Sequence, residues 1–331
     1  MHIKKFSFLL KKNQKSIRID KFLIKSIQNI SRNQIQKAAN LGKILVNKRF
    51  IKKNYQIKPF DFIEIEISYP PILDLEYKNI IAEKIPLDII HEDEDIIVVN
   101  KQPGMVVHPG IGNENGTLIH GIKYHLKNNN KLLYRLGLVH RIDKDTSGLL
   151  VLAKNEYAQK FLFQQFISKT IKRKYIALVW GNLKNEEGTI TGFIGRDPKN
   201  RKRMTLLKKD FDRGKYSITH YKVLERFKYI TYISCNLETG KTHQIRAHFK
   251  YLGHPLFNDF IYGGNKILKS FSKKNFKFLK ICLNILKRQA LHAISLSLIH
   301  PKNGKCHFTS PIPEDWKKVI QKFRERFSFL L

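Results

Sequence analysis

A pair of consecutive prolines after Tyr69 divides the sequence into two unequal parts. Proline fixes its own φ, cannot donate a backbone hydrogen bond and restricts the residue before it, so Pro70-Pro71 cannot continue a helix or a central strand. A linker follows as far as Pro86. We therefore predict a small amino-terminal domain over residues 16–68, a linker over 69–86 and a larger domain over 87–331.

The amino-terminal segment has the pattern of a compact helix and strand unit. Apolar residues at helical spacing predict a first helix, and Ser31 is well placed to cap a second one. Gly42 is expected to end the second helix, because glycine tolerates the positive φ of a helix C-terminus. Short alternating runs then predict strands over 44–46 and 62–67.

The larger domain contains many strand-like runs and few helical ones. The predicted strands are Ile96–Val99, Leu149–Ala153, Lys174–Val179, Tyr221–Phe227, Ile230–Leu237 and Ala293–Ile299. The predicted helices are Glu156–Ile167, Gln244–Leu252 and Glu314–Phe327. Because strands follow one another without regular alternation with helices, we predict an α+β fold with a mainly antiparallel mixed sheet.

The charge of the chain favours a polyanionic partner. Lysine and arginine number 62 against 27 acidic residues, which gives a formal net charge of +35 and a pI near 10.0. Nucleic acid is the leading candidate for that partner. The alternative is A/T-rich coding, which also enriches lysine, isoleucine and asparagine, and both explanations stay open at this point.

Cysteine spacing and the apolar runs limit the remaining possibilities. Cys235, Cys282 and Cys306 are far apart and lack metal-ligand spacing, so we expect reduced packing residues and no metal. The first apolar stretch has about five residues, fewer than the roughly seven of a signal peptide. No run approaches the roughly 18 apolar residues of a membrane span. We expect a cytoplasmic protein without a cofactor.

The segment His140-Arg141-Ile142-Asp143-Lys144-Asp145-Thr146-Ser147-Gly148 precedes the apolar run 149–153. One interpretation is structural, since aspartate and threonine side chains often hydrogen-bond a turn before a buried strand. The other is catalytic, because a strand edge holds a reactive side chain rigidly. Spacing alone does not decide between them.

Several segments together resemble the pseudouridine synthases that act on ribosomal RNA and some transfer RNA. Segment 140–148 resembles their signature, with Ile142 in place of the usual leucine. Segments 173–181 and 239–248 are similar to two further motifs of that family, although Lys241 stands where arginine is common. Segments 91–101, 104–110 and 288–293 also match, with Gln102 in place of a proline.

The resemblance implies a role for four residues of the larger domain. Asp143 would be the nucleophile, and Arg246 would pair with it and stabilise the ionised carboxylate. Tyr175 would pack on the uracil, and Arg141 would fill the gap left by the flipped base. The alternatives are a core tyrosine at 175 and a phosphate contact at 141. Asp145 is assigned to structure.

Three other polar groups receive a structural interpretation. We expect His243 and His248 to pack on a helix face, because they lack a suitably spaced carboxylate or thiol for a metal. The acidic run from Glu92 to Asp95 is interpreted as a solvated turn.

The amino-terminal segment resembles the S4 RNA-binding domain, with Lys48 where glycine is common. The resemblance implies that basic side chains of its two helices contact RNA phosphates, and these would be Arg18, Lys21, Arg32, Lys37 and Lys43. The alternative is a solvated basic helix face.

These resemblances predict an enzyme that isomerises uridines in 23S ribosomal RNA, with the helix 69 stem-loop as the expected target. Its partner would be that RNA or the pre-ribosomal large subunit, and the enzyme would be a monomer. A non-catalytic ribosome-assembly protein is one alternative. A hydrolase with paired carboxylates is another, and it would need a second acid or base.

Overall fold

A computed structural model describes residues 2–27, 30, 32–51, 54–69, 80–110, 112–126, 133–207, 214–267 and 272–327. The chain forms two compact units, residues 1–78 and 79–331. Ser31, Pro70 and Pro71, on which sequence predictions rested, lie outside the described residues.

The amino-terminal unit packs two helices against a four-stranded antiparallel sheet. Its elements are β1 (His2–Leu9), α1 (Ile19–Ser26), α2 (Arg32–Asn40), β2 (Ile44–Val46), β3 (Arg49–Phe50) and β4 (Phe62–Tyr69). The strand order is β1-β4-β2-β3. Ile19, Leu23 and Ile35 from the helices form its core with Ile44 and Ile63 from the sheet.

Strand β1 begins before residue 16, the predicted start of this domain. It pairs with β4 along its whole length, from His2 opposite Tyr69 to Leu9 opposite Phe62. Its apolar alternation is weak, because Ile3 and Leu9 remain 53% and 72% exposed. Pairing with β4 therefore decides its conformation, and this pairing has no local signal in the sequence.

The predicted end of the second helix is observed. Helix α2 stops at Asn40, and Gly42 adopts a φ of 66°. This left-handed conformation is easily reached by glycine, and it allows the chain to turn into β2.

The larger unit is built on one ten-stranded sheet. Its strands are β5 (Ile89–Glu92), β6 (Ile96–Lys101), β7 (Ser147–Ala153), β8 (Lys172–Trp180), β9 (Glu187–Arg196), β10 (Met204–Leu206), β11 (Lys215–Arg226), β12 (Ile230–Leu237), β13 (Leu291–His300) and β14 (Gly304–Thr309). Its helices are α3 (Leu118–His125), α4 (Glu156–Ile167), α5 (Gln244–Tyr251), α6 (Lys273–Ile285) and α7 (Glu314–Phe327), with a 3-10 turn at Tyr134–Gly137.

The sheet has the order β10-β9-β11-β12-β8-β13-β7-β6-β5, and β14 pairs with β13. Strands β13 and β7 are parallel, whereas the other pairings of the described strands are antiparallel. The predicted α+β class with a mainly antiparallel sheet is thus confirmed. The catalytic candidates lie around the three central strands β8, β13 and β7.

Strand β8 shows how the core orients the site. Ile176 and Leu178 pack into an apolar cluster with Leu279 of α6 and with Trp316 and Phe323 of α7. Successive side chains of a strand point to opposite faces, so Tyr175 points away from this cluster. The packing of α6 and α7 therefore fixes the direction of Tyr175.

The cysteines are free, and Cys235 and Cys282 are buried. Burial raises the pKa of the Cys282 thiol to about 12, so this thiol stays protonated. Over the ranges that the structure describes, no cluster of histidine, cysteine, aspartate and glutamate is arranged for a metal ion. No helix in those ranges is both long and apolar enough to span a membrane.

Candidate active site

Asp143 lies in a tight turn that leads into β7. The backbone N–H of Thr146 donates a hydrogen bond of 3.1 Å to the Asp143 carbonyl and closes the turn. Gly148, the second residue of β7, has a φ of 107°, and a Cβ there would lie 2.3 Å from the Ala293 carbonyl oxygen. Only glycine allows β7 to approach β13 this closely, which explains why glycine occupies position 148 at the start of the strand.

Arg246 connects Asp143 to a second carboxylate. Its Nη1 donates to Asp143 Oδ2 at 3.0 Å, although the two residues are 103 positions apart. Its Nε and Nη2 donate to the two oxygens of Asp259 at 2.6 and 2.9 Å. Arg246 is 3% exposed and Asp259 is fully buried. This two-bond clamp fixes the guanidinium plane, and the guanidinium fixes the Asp143 carboxylate.

The charge of Arg246 is permanent. Burial lowers its pKa, but the hydrogen bonds and negative charges of Asp259 and Asp143 outweigh burial and raise the pKa above its ordinary value. The ring of Tyr262 lies 5.1 Å from the guanidinium and covers it. Asp143 therefore faces a fixed positive charge at all physiological pH values.

Tyr175 lines the same pocket from β8. Tyr175 is 6% exposed, and β8 places it opposite Cys235 on β12 and Ala293 on β13. Burial raises the pKa of its hydroxyl, the positive charge of Arg173 opposes this, and the negative charge of Asp143 adds to the rise. Tyr175 is therefore a neutral aromatic ring at neutral pH, suited to packing against a planar base.

The pocket contains one carboxylate among the lining residues that the structure describes, and this is Asp143. The side chain of Asp143 is 16% exposed, whereas Asp259 is fully buried and bonded to Arg246. A hydrolase with paired carboxylates needs two acidic groups facing the substrate. The geometry of this pocket therefore disfavours that alternative.

Arg141 lies at the exposed rim of the pocket. Its Nη1 is 2.9 Å from His108 Nε2, and His108 Nδ1 is 3.0 Å from the Pro109 carbonyl oxygen. If Nδ1–H donates to that carbonyl, Nε2 is left to accept from the arginine. The histidine thus holds an exposed cation beside the pocket, where it can reach a nucleic acid.

Lys101 stabilises the turn that contains Asp143. This residue ends β6 and is 2% exposed, and its Nζ donates to the carbonyls of Gln102, Met105 and Lys144 at 2.8, 2.8 and 2.9 Å. Burial lowers its pKa to about 7, against the opposing charges of Asp145 and Asp143. The three ammonium protons thus donate to three backbone carbonyls, and one of these belongs to Lys144, the residue after Asp143.

The segment after α6 also supports the turn. Arg288 donates two hydrogen bonds to the carboxylate of Asp315 on α7, at 3.1 and 3.2 Å. Gln289 donates to the hydroxyl of Thr146 at 3.3 Å. The predicted motif at 288–293 therefore joins the last helix to the turn that carries Asp143.

Gln244 explains why the motif around Arg246 contains glutamine. Its amide oxygen accepts from the hydroxyl of Thr239 and the N–H of Lys241, and its amide nitrogen donates to Ile218 and Thr219. All four bonds are 2.9 to 3.0 Å long. One buried amide thus fixes the turn before α5 onto β11, and so fixes the start of the helix that carries Arg246.

The two histidines of this motif have different surroundings. His248 is fully buried, and its Nε2 lies 2.9 Å from the Ser217 hydroxyl, which gives it a packing role. His243 lies at the pocket, with Nδ1 3.1 Å from the Tyr262 hydroxyl and Nε2 3.9 Å from Asp143 Oδ2. Burial lowers the pKa of His243, so it is neutral at neutral pH.

No role was assigned from the sequence to three of the site residues, namely Asp259, which lies outside the motifs, and Lys101 and Arg173, which lie within them. Asp259 is the one acidic residue between Gly253 and Lys266, which is a weak signal for a buried partner. Lys101 follows four buried residues of β6, where a lysine is unusual. Arg173 lies two residues before Tyr175 and lines the same pocket.

The basic residues predicted to contact RNA in the amino-terminal unit have unequal exposure. Lys21 is exposed, and Lys37 and Lys43 are half-buried. Arg18 donates two hydrogen bonds to the buried carboxylate of Asp20, at 3.1 and 2.9 Å, which neutralises much of its charge. The side chain of Arg32 lies outside the described residues.

Two parts of the sequence match known families. Residues 95–251 match the family described as RNA pseudouridylate synthase, and this range contains Asp143, Tyr175 and Arg246. Residues 17–63 match the S4 domain, and this range contains both helices of the amino-terminal unit.

Individual relatives match almost the whole chain. An uncharacterized RNA pseudouridine synthase of Bacillus subtilis is 42% identical over 94% of this chain and 96% of its own length. The ribosomal large subunit pseudouridine synthase D of Buchnera aphidicola is 41% identical over 92% of this chain and 94% of its own. The solved structure of human RNA pseudouridylate synthase domain containing 4 shares the fold, with a TM-score of 0.57 and 21% identity, over 72% of this chain and 93% of that one.

Proposed function

The chain belongs to the RNA pseudouridylate synthase family, and we propose that it converts specific uridines of 23S ribosomal RNA to pseudouridine with Asp143 as the nucleophile. The family membership confirms the prediction made from the motifs. The observation that carries the proposed mechanism is the single pocket carboxylate, bonded at 3.0 Å to an arginine that Asp259 holds in place.

The reaction requires a group that can hold a sugar or a base during rearrangement. The bond between N1 and C1′ breaks, the uracil turns while bound, and C5 joins the same C1′. A carboxylate can attack the ribose, attack the base or take the proton at C2′. Each route requires an ionised carboxylate facing the substrate, and the fixed charge of Arg246 stabilises that form of Asp143.

Tyr175 and Arg246 complete the proposed catalytic group. We assign to Tyr175 the face of the uracil and the region of the proton that leaves C5, because its neutral ring lines the pocket beside Asp143. Arg246 orients the carboxylate through its bond to Oδ2. Orientation of this kind supplies a large part of many enzymatic rate enhancements.

Arg141 is the proposed base-flipping residue. A uridine must leave its stack before it can enter the pocket, at a cost of a few kcal/mol. Arg141 is exposed at the rim and held by His108, so its guanidinium can occupy the space that the base vacates.

The proposed substrate is large-subunit ribosomal RNA or the pre-ribosomal large subunit, with the helix 69 stem-loop as the target. This proposal is supported by the similarity to a relative named ribosomal large subunit pseudouridine synthase D and by the net charge of +35. The alternatives are the related synthase C, acting on other uridines of 23S ribosomal RNA, and a non-catalytic assembly protein. We propose that the enzyme acts as a cytoplasmic monomer and aids subunit maturation.

The S4 domain is proposed to add affinity through phosphate contacts. Its candidate contacts remain Arg18, Lys21, Arg32, Lys37 and Lys43, and among them exposed Lys21 is expected to contribute more than Arg18, which Asp20 already pairs. Such contacts give salt-dependent binding with little sequence preference.

The decisive test replaces Asp143 with asparagine, which keeps the size of the side chain and removes the nucleophile. Asp143→Asn is expected to lower pseudouridine formation by at least about 10⁴-fold while RNA binding is retained. Carbodiimide mapping of 23S ribosomal RNA incubated with the variant measures this.

The matched control is Asp145→Asn, which changes a carboxylate in the same turn that does not line the pocket. It is expected to keep activity within about tenfold. Undiminished activity of Asp143→Asn would show the mechanism to be wrong. An unchanged pattern of pseudouridines in cells that lack the protein would show the proposed function to be wrong.

A further inference from the structure

The pocket has a second charged side, formed by Arg173 and Lys241. Arg173 is on β8, two residues before Tyr175, and Lys241 is in the turn before α5. The two segments touch, since a Cβ on Gly240 would lie 2.5 Å from Nη1 of Arg173. Glycine at 240 therefore leaves room for the guanidinium beside the turn that carries Lys241.

The positive charge of Arg173 has no acidic partner in the part of the chain that the structure describes. Its Nε is fully shielded from solvent and has no hydrogen-bond partner there. The guanidinium lies 5.3 Å from the centre of the Phe166 ring, and burial lowers its pKa. Arg173 as a whole is half-buried, but a shielded and unsatisfied Nε is costly, so its retention calls for an explanation outside ordinary packing.

Lys241 shares this electrostatic situation. Burial lowers its pKa, and the positive charges of Lys215, Arg173 and Lys169 lower it further. Of these neighbours, Lys169 has an acidic partner, Glu238, at 3.4 Å. Within the described ranges no carboxylate bonds to Lys241 itself.

The first turn of α5 adds to the attraction for an anion. Gln244, Ile245 and Arg246 line the pocket together with the turn over 240–243. The backbone N–H groups at a helix N-terminus carry partial positive charge and favour a negatively charged ligand. The charge of Arg246 is already matched by Asp143 and Asp259, which leaves Arg173 and Lys241 to receive the anion.

We propose that Arg173 and Lys241 bind one of the two phosphodiesters that flank the target uridine, an inference that rests on the proposed function. Arg173 and Tyr175 are two residues apart on one strand, so their side chains point the same way about 7 Å apart. This spacing suits a nucleotide whose base packs on Tyr175 while its backbone phosphate lies on Arg173. The arginine fork can donate two parallel hydrogen bonds to phosphate oxygens, and Lys241 adds a point charge.

The test combines a variant with a neutral phosphate. The RNA is a synthetic stem-loop that contains one uridine, at a site mapped in cells, with a single methylphosphonate on its 5′ or its 3′ side. Single-turnover rates are measured for the wild type, for Lys241→Gln and for the control Lys305→Gln. The enzyme is in excess over the RNA but below the concentration that saturates binding. Lys305 is exposed on β14 and does not line the pocket.

We expect Lys241→Gln to slow the reaction about tenfold on unmodified RNA, the effect of losing one charged hydrogen bond. One of the two methylphosphonates should slow the wild type by about tenfold and should slow Lys241→Gln by clearly less, because only the Arg173 contact is left to lose. Lys241→Arg should restore the wild-type rate, and Lys305→Gln should behave as the wild type throughout. The variant should also lower the salt dependence of binding by about one phosphate contact.

Arg173→Gln gives an independent measurement, provided that its urea unfolding matches that of the wild type. Its response to that same methylphosphonate should also be smaller than the response of the wild type. If Arg173→Gln does not fold, the Lys241 variants decide the question alone, because their side chain lies at the half-buried rim.

The outcomes separate this inference from the proposed function. If the wild type forms no pseudouridine on any ribosomal RNA, the proposed function fails. If the wild type is active but both methylphosphonates slow it and Lys241→Gln equally, the phosphate site is wrong and the proposed function stands.

Discussion

Arg246 and Arg173 line the same pocket, yet the fold treats their charges in opposite ways. Arg246 bonds to two carboxylates, and its pKa is raised. Arg173 has a buried Nε without a hydrogen-bond partner in the described ranges, and its pKa is lowered. One arginine is neutralised by the protein, and the other is left to be neutralised by what binds.

The difference shows how a single pocket can separate stability from recognition. A buried cation with paired carboxylates positions a reactive group, but removing one partner leaves a charge that is expensive to bury. A half-buried cation without an acidic partner weakens the folded state slightly and gains its partner on binding. Substitutions at the two sites should therefore change stability and activity in different proportions.

The largest expected effect on stability comes from Asp259→Asn. It removes the charge that clamps Arg246 and leaves that arginine with Asp143 alone. We expect the free energy of unfolding to fall by about 3–5 kcal/mol in urea titrations. We also expect pseudouridine formation to fall about 100-fold, because the guanidinium no longer holds Asp143 in one orientation.

The control for this prediction is Glu238→Gln, which weakens exposed contacts with Lys169 at 3.4 Å and with His220 at 2.8 Å. An exposed pair contributes less than about 1 kcal/mol, so this variant should unfold almost as the wild type does. An Asp259→Asn enzyme with the wild-type rate would show that the orientation of Asp143 does not depend on the clamp between Asp259 and Arg246.

Lys101 is an intermediate case, because backbone carbonyls surround its ammonium group in place of a carboxylate. Its pKa is about 7 in the folded protein, well below the 10.5 of an ordinary lysine. Between these values the unfolded chain binds a proton that the folded protein does not, so the contribution of Lys101 to stability rises with pH. Below about pH 7 both states are protonated, and the contribution is constant and least favourable.

The measurement compares wild type with Lys101→Met in urea titrations from pH 6 to pH 10. The wild type should gain stability relative to the variant across the range from pH 7 to pH 10, by an amount on the order of a few kcal/mol. Parallel curves for the two proteins would show that the pKa of Lys101 is not lowered.

The smallest expected effect on stability comes from Arg173→Met. The variant removes a half-buried cation that has no acidic partner in the described ranges, and it also removes the contact with Phe166, worth about 1 kcal/mol. These two terms oppose each other, so the free energy of unfolding should change by less than about 1 kcal/mol. A loss comparable to that of Asp259→Asn would show that Arg173 is paired within the protein, and the contrast between the two arginines would disappear.

The sequence identified the residues that meet at the pocket better than it identified what holds them. Asp143, Tyr175 and Arg246 lie in three long motifs, and the structure brings them around one pocket. Asp259 was not found, because its role depends on a contact with Arg246 that no spacing encodes. The role of Lys101 was missed for the same reason, since its hydrogen-bond partners include backbone carbonyls of two separate loops, at Met105 and Lys144.

The same distinction applies to the elements of the fold. Strands β7 and β12 were predicted because they are rich in apolar and β-branched residues, and almost every residue in them is buried. Strands β9 and β14 were not predicted, because exposed positions interrupt their apolar patterns. These segments are extended because they pair with neighbouring strands, and the local sequence pattern does not show a pairing with a distant segment.

The position of β13 in the sheet has a consequence for the order of events during protein synthesis. This strand lies between β7, which follows Asp143, and β8, which carries Tyr175, although it is made more than a hundred residues after either. A nascent chain that ends before Leu291 contains all three catalytic candidates but lacks the strand that spaces two of them. We therefore expect the emerging enzyme to be inactive until β13 has been made and has paired with β7 and β8.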